Sequence, residues 1–90
     1  MFEWDDAKSE ANLRSRGFDF AHAAAVFDGP TLEFDDARAD YGERRIRAIG
    51  RAGGDFLFVV YTWRGLCRRI ISARLANRRE RHAYREIFDR

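Results

Sequence analysis

The chain has 90 residues, 17 of them Lys or Arg and 15 Asp or Glu, and 46% of it is hydrophobic, with eight Phe, three Tyr and two Trp. That length allows one small domain and no second one, the apolar runs exclude a disordered chain, and the longest of them, Phe56 to Trp63, is far too short to span a membrane. The net charge of +2 is unevenly spread: residues 1–43 sum to −7, residues 44–63 to +3 and residues 64–90 to +6.

The chain opens Met1-Phe2-Glu3-Trp4-Asp5-Asp6, acidic and without the basic and apolar regions of a signal peptide. Together with the lone Cys67, which leaves no intrachain disulfide, this leads us to expect a cytoplasmic protein. Phe2 to Trp4 alternates and reads as a short edge strand. Asp5 or Asp6 caps a first helix that carries Lys8 near its start and ends at Gly17. Asn12 sits on that helix, where its amide could tie the helix to a loop. Asp19 caps a second helix, whose Phe20, Ala23, Ala24 and Phe27 form one apolar stripe, and Asp28-Gly29-Pro30 stops it. Thr31 to Asp35 is a short strand and Asp36 to Gly42 a polar connection.

Glu43 to Arg51 alternates, with Ile46 and Ala48 on one face and Glu43, Arg45, Arg47, Ile49 and Arg51 on the other. Gly53-Gly54-Asp55 is a hairpin turn. Phe56 to Trp63 is apolar on both faces, as a central, doubly covered strand should be. After a turn at Arg64 to Cys67, Arg68 to Arg74 is the last strand. A closing helix follows, with Ala76, Ala83, Tyr84, Ile87 and Phe88 on its apolar stripe and Arg78, Arg81 and Arg85 on another face. The expected fold class is α+β: an antiparallel sheet packed on two N-terminal helices and a C-terminal helix in one domain over 1–90, with a thin core of one helical layer on one sheet.

Cys67, His22 and His82 lie on three different elements without ligand spacing, so the residues give no metal signature and no cofactor is expected. The glycines at the hairpin are misplaced for a phosphate loop. What remains is Arg, carboxylate and aromatic side chains on adjoining elements. Sixteen of the seventeen basic residues are Arg, whose planar fork grips phosphate at two points. Arg45, Arg47 and Arg51, with Arg64, Arg68 and Arg74 near the strand ends, either hold an RNA backbone, with Trp63 or Tyr84 stacking on a base, or simply cover the sheet with Trp63 in the core. Glu80 falls in the apolar stripe of the last helix, so it requires a partner, and Arg74 is the nearest in sequence. It is either a helix-to-sheet ion pair or a site carboxylate that moves a proton or orients that arginine.

Several segments together resemble the BrnT family of bacterial toxins. They are Phe2-Glu3-Trp4-Asp5 with Lys8 and Asn12, Gly17-Phe18-Asp19-Phe20 with Ala24, Val26 and Phe27, Glu43-Arg44 with Gly50-Arg51, Val59-Val60-Tyr61-Thr62 with Arg64, and Arg69-Ile70-Ile71-Ser72-Ala73-Arg74 with Ala76, Arg79-Glu80-Arg81 and Tyr84. The family often has His before the Gly that closes the first helix; here that residue is Arg16. The resemblance implies a RelE-like fold and a metal-independent endoribonuclease that inhibits translation as the toxin of a type II toxin–antitoxin module. It implies a BrnA-like ribbon-helix-helix antitoxin as partner, RNA as substrate, and operator DNA bound only through the antitoxin. No membrane partner is implied, and without the antitoxin the uncovered surface allows a homodimer. Matched onto this chain, Arg64 and Arg74 become charge stabilisers, Glu80 and Tyr84 candidates for proton transfer or for orienting Arg74, and Lys8, Arg44, Arg47, Arg51 and Trp63 RNA contacts. The other class of function open to the chain is a non-catalytic module that binds antitoxin or RNA.

Overall fold

A computed structural model describes residues 1–89, so the last residue of the expected domain, Arg90, lies outside the described residues. In chain order the elements are β1 (Phe2–Trp4), α1 (Asp6–Arg16), α2 (Phe20–Ala24), a 3-10 turn (Ala25–Asp28), β2 (Leu32–Asp35), β3 (Ile46–Ala52), β4 (Asp55–Arg64), β5 (Cys67–Leu75) and α3 (Arg78–Phe88). The strands form one sheet in the order β1-β5-β4-β3-β2. β2 to β5 form an antiparallel meander, but β1 runs parallel to β5, with Phe2 opposite Arg68 and Trp4 opposite Ile70. The wholly antiparallel expectation fails there because β1 and β5 are far apart in the chain, and no hairpin fixes their relative direction.

β4 lies at the centre and is apolar on both sides, as its sequence requires. Leu57 and Val59 pack with Phe20, Ala23, Val26, Ile70 and Ala73. Phe58 and Val60 point the other way and pack with Ile49, Ala76 and Tyr84. Helices therefore cover both faces, which corrects the single helical layer expected from size: a strand apolar on two sides cannot leave one in water. α2 and the 3-10 turn cover one face and α3 part of the other. Gly50 of β3 permits the first of these contacts, since a Cβ there would lie 2.9 Å from Val26 Cβ and 3.1 Å from Thr31 Cγ2.

α1 behaves differently. Asp5 caps it by accepting from the Lys8 N–H at 3.1 Å, and Gly17 closes it at φ +86°. Its buried residues are polar, Ser9 and Asn12. Ser9 Oγ accepts from the Phe20 N–H at 2.9 Å, and Asn12 Nδ2 donates to the Phe18 carbonyl at 3.0 Å. The helix is thus tied to the chain that follows it, as the Asn12 amide suggested, and flanks β5 where β1 has ended.

Other differences are local. The second helix tightens into a 3-10 turn before Phe27. β2 begins at Leu32, not Thr31, and β3 begins at Ile46, not Glu43. Glu43 and Arg45 pair with each other at 3.4 Å, and Arg45 lies over Tyr41, so Arg45 belongs to the loop and does not share the sheet face of Arg47 and Arg51. Buried Asp36 anchors that loop by accepting from Arg38 Nε and Nη2 at 2.6 and 2.8 Å, and Arg38 lowers its pKa to about 2. α3 starts after Asn77, so Ala76 enters the core ahead of the helix, while Ile87 and Phe88 are left exposed. β5 carries one extra residue, Ile71, because Ser72 pairs with Val60 and Ile70 with Tyr61.

Candidate active site

On the face that α3 only partly covers, the register places Arg74 beside Phe58, Ser72 beside Val60, and Arg47 on the other side of Val60. Two local rules put Glu80 over this surface. Asn77 caps α3 by accepting from the Glu80 N–H at 2.8 Å, and Glu80 Oε1 returns the bond by accepting from the Asn77 N–H at 2.9 Å. The same carboxylate faces the end of β5. Arg74 Nη1 donates to Glu80 Oε1 at 2.8 Å and Nη2 to Oε2 at 2.9 Å, a two-point grip. The guanidinium also lies 4.0 Å above the Phe58 ring and donates to the Leu75 carbonyl.

The Arg74 hydrogen bonds hold Glu80 below the usual carboxylate range against the opposing effect of burial; the Asn77 N–H and the charges of Arg74 and Arg47 add to this. Glu80 is therefore ionised at neutral pH with both oxygens engaged. That suits a carboxylate that fixes the direction of a guanidinium better than one that must take a proton. The Arg74 side chain keeps 38% of its surface exposed, against 16% for Glu80, so the cation faces solvent and its anchor does not.

The remaining site candidates disperse. Arg47 lies on the same sheet face, donates to the Asp35 carbonyl at 3.1 Å and stacks on Phe34. Arg64 pairs with Glu43 at 3.3 Å near the end of β4. Phe58, opposite Arg74, is six residues back along β4, so the two arginines start about 20 Å apart along the sheet. Arg44, in the loop before β3, pairs with Asp35 at 2.9 Å. Arg51 pairs with Asp89 at 3.3 Å and covers Phe56. Tyr84 is 2% exposed, with its hydroxyl donating to the Pro30 carbonyl at 3.0 Å and its ring against Phe56 and Phe88. It is a core residue, and its hydroxyl is engaged within the fold. Lys8 is on α1, beside the β5 edge and among Asn12, Arg16 and Ser72.

Trp63 is neither in the core nor beside these arginines. It lies on the opposite sheet face, 45% exposed, with the Arg68 guanidinium 4.6 Å from its ring centroid. Arg68 also covers Phe27 at 4.3 Å and Tyr61 at 5.3 Å, an arrangement that alternation along the strands does not show. A two-residue Gly65-Leu66 turn would have revealed it, since that turn sets Trp63 opposite Arg68.

Among the described residues no group of three or more His, Cys, Asp and Glu side chains is arranged to hold a metal ion, and no helix is long and apolar enough to cross a membrane. What the geometry offers is a half-exposed arginine held in direction by a half-buried carboxylate, with Arg47 and Ser72 on the same sheet face. No curated protein matches the chain. Residues 4–80, however, match the family model described as the ribonuclease toxin BrnT of type II toxin–antitoxin systems. With Trp4, Lys8, Asn12, Arg64, Arg74 and Glu80 all inside that match, the chain belongs to the BrnT family, the ribonuclease toxins of type II toxin–antitoxin systems.

Proposed function

We propose that this ribonuclease toxin cuts RNA internally and without a metal ion at the open sheet face around Arg74. The observation that carries this reading is the Arg74–Glu80 pair, which presents a guanidinium of fixed direction to solvent. In the proposed reaction the ribose 2′-oxygen attacks the adjacent phosphorus. The new O2′–P bond forms as the P–O5′ bond breaks, leaving a 2′,3′-cyclic phosphate and a 5′-hydroxyl. The 2′-proton passes to a base and the leaving oxygen takes a proton from an acid. Arg74 neutralises the charge on the non-bridging oxygens in the transition state, and Glu80 keeps its fork from turning away. Arg47 adds positive potential from the next strand but one. Arg64, far along β4, contacts the RNA strand away from the cut. DNA lacks the 2′-hydroxyl and is not cut.

The toxin acts in the cytoplasm. The sheet with its flanking helices is of RelE type, and cleavage stops translation. A type II toxin has an antitoxin, and we take this one to be a BrnA-like ribbon-helix-helix protein that carries the pair to operator DNA. An acidic antitoxin segment laid over the arginines would block RNA directly, and without it the toxin pairs with itself. Induced expression in a bacterium, alone and with the adjacent antitoxin gene, tests this. Growth arrest with fragmented RNA, relieved by the second gene, is expected. Normal growth with abundant folded protein would leave a binding module without activity.

A further inference from the structure

Beside the Arg74 face the structure holds a second surface suited to phosphate. β1 ends opposite Ile70, so the outer edge of β5 beyond it has no strand partner. α1 fills that place. Arg16 Nη1 donates to the Ala73 carbonyl at 2.8 Å, satisfying an edge group that β1 does not reach, and to Asn12 Oδ1 at 3.3 Å. Between helix and strand is a cleft of about 250 Å³ lined by Lys8, Asn12, Ser15, Arg16, Ile71 and Ser72.

Its chemistry is one-sided. Lys8, Asn12, Ser15 and Arg16 follow one another at helical spacing along the same side of α1. The acids Asp6 and Glu10 lie on another side of that helix, where with Asp19 they line a separate depression. No carboxylate lines the Lys8 cleft, and its walls carry an ammonium, a guanidinium and the Ser15 and Ser72 hydroxyls. Net positive charge with many donors fits a phosphate oxygen. The extra residue Ile71 shifts the register here and sets Ser72 on the face that carries Arg74, two residues or about 7 Å further along β5.

We propose that this α1–β5 cleft is a phosphate subsite of the RNA-binding surface, in which Lys8 and Arg16 hold a backbone phosphate neighbouring the one that Arg74 faces. The inference rests on the RNA-cleaving reading and adds the route of the strand: along β5, from the Arg74–Glu80 pair toward α1. Arg16 has a further positioning role, since its bond to the Ala73 carbonyl fixes the backbone between Ser72 and Arg74.

The test is binding of a single-stranded 2′-O-methyl oligonucleotide, which cannot be cleaved, measured at several salt concentrations for wild type, Lys8→Gln, Arg16→Ala and Arg74→Ala. Lys8 is exposed and its side chain makes no hydrogen bond or ion pair among the described residues, so Lys8→Gln reports on the ligand. The expected result is roughly tenfold weaker binding, with the slope of log K against log salt smaller by about 0.7 for one lost phosphate contact. Arg16→Ala should weaken binding as well and, with the unmodified RNA oligonucleotide as substrate, slow cleavage by a larger factor than it lowers affinity, because it also releases the Ala73 backbone. Unchanged affinity and slope in Lys8→Gln, with Arg74→Ala weakened, overturns the subsite and leaves the Arg74 site standing. Absence of binding by wild type overturns both.

Discussion

Replacing Glu80 with Ala removes three hydrogen bonds at once, two from Arg74 and one from the Asn77 N–H. It also leaves Arg74 lying on Phe58 without its anion. The ion pair is intermediate in exposure, with Arg74 at 38% and Glu80 at 16%, so its loss falls between the figure for surface pairs and that for buried ones, about 2 kcal/mol. Losing the returning half of the capping box adds about 0.5 kcal/mol. For a domain of this size each kcal/mol moves Tm by about 4–8 °C, so Glu80→Ala should melt about 10–20 °C lower. Glu80→Gln can still accept from Asn77 but carries no charge, and should lose about half as much. Urea unfolding of wild type, Glu80→Ala, Arg74→Ala and the double variant isolates the pair, with a coupling of about 1–2 kcal/mol expected. A Glu80→Ala midpoint equal to wild type, or a coupling near zero, would show that the pair does not anchor α3 and would remove the reason for treating Glu80 as the group that aims Arg74.

Tyr84→Phe should cost about 1 kcal/mol, from the lost bond to the Pro30 carbonyl, and leave RNA cleavage within twofold of wild type; a hundredfold loss of rate in a folded protein would return the hydroxyl to the chemistry. Gly50→Ala should lower stability by about 1–3 kcal/mol in chemical unfolding, because the added methyl meets Val26 at 2.9 Å; an unchanged midpoint would mean that the 3-10 turn moves freely off β3. Asp36 is ordinarily half-protonated near 3.8 but is held at about 2 by Arg38, so its contribution is complete above about pH 4 and disappears as pH falls through 2. Unfolding midpoints followed from pH 5 to 2 should fall in that window and fall less in Asp36→Asn; identical slopes would refute the buried pair.

Much of the fold is legible because it is local. Asp5, Asp19 and Gly17 mark helix ends through bonds to residues within four positions, and Phe56 to Trp63 shows its double burial in its own composition. The Arg74–Glu80 contact was readable for the same reason, since one strand end and one helix start are separated by a short connection. What escaped depends on pairings between distant segments. The parallel seat of β1 leaves the Ala73 carbonyl free for Arg16, 57 positions away in sequence. The direction of Trp63 follows from the hairpin register that places Arg68 beside it, and alternation alone does not say which face the arginines share. The place of Tyr84 is hidden because an apolar stripe with a polar tip looks the same whether the tip points outward or, as here, meets the Pro30 carbonyl. Arg16 itself holds the β5 edge, through its bonds to the Ala73 carbonyl and to Asn12.

The most direct test of the central claim is cleavage of a labelled single-stranded RNA, and of its DNA counterpart, by purified wild type, Arg74→Lys and Arg74→Ala in the presence of a chelator, with folding checked by circular dichroism. The expected result is RNA fragments ending in 2′,3′-cyclic phosphate from wild type, intact DNA, and rates at least a hundredfold lower for folded Arg74→Ala, with Arg74→Lys only partly active because an ammonium cannot grip Glu80 at two points. Full cleavage by folded Arg74→Ala, or activity that stops when the chelator is added, would contradict it.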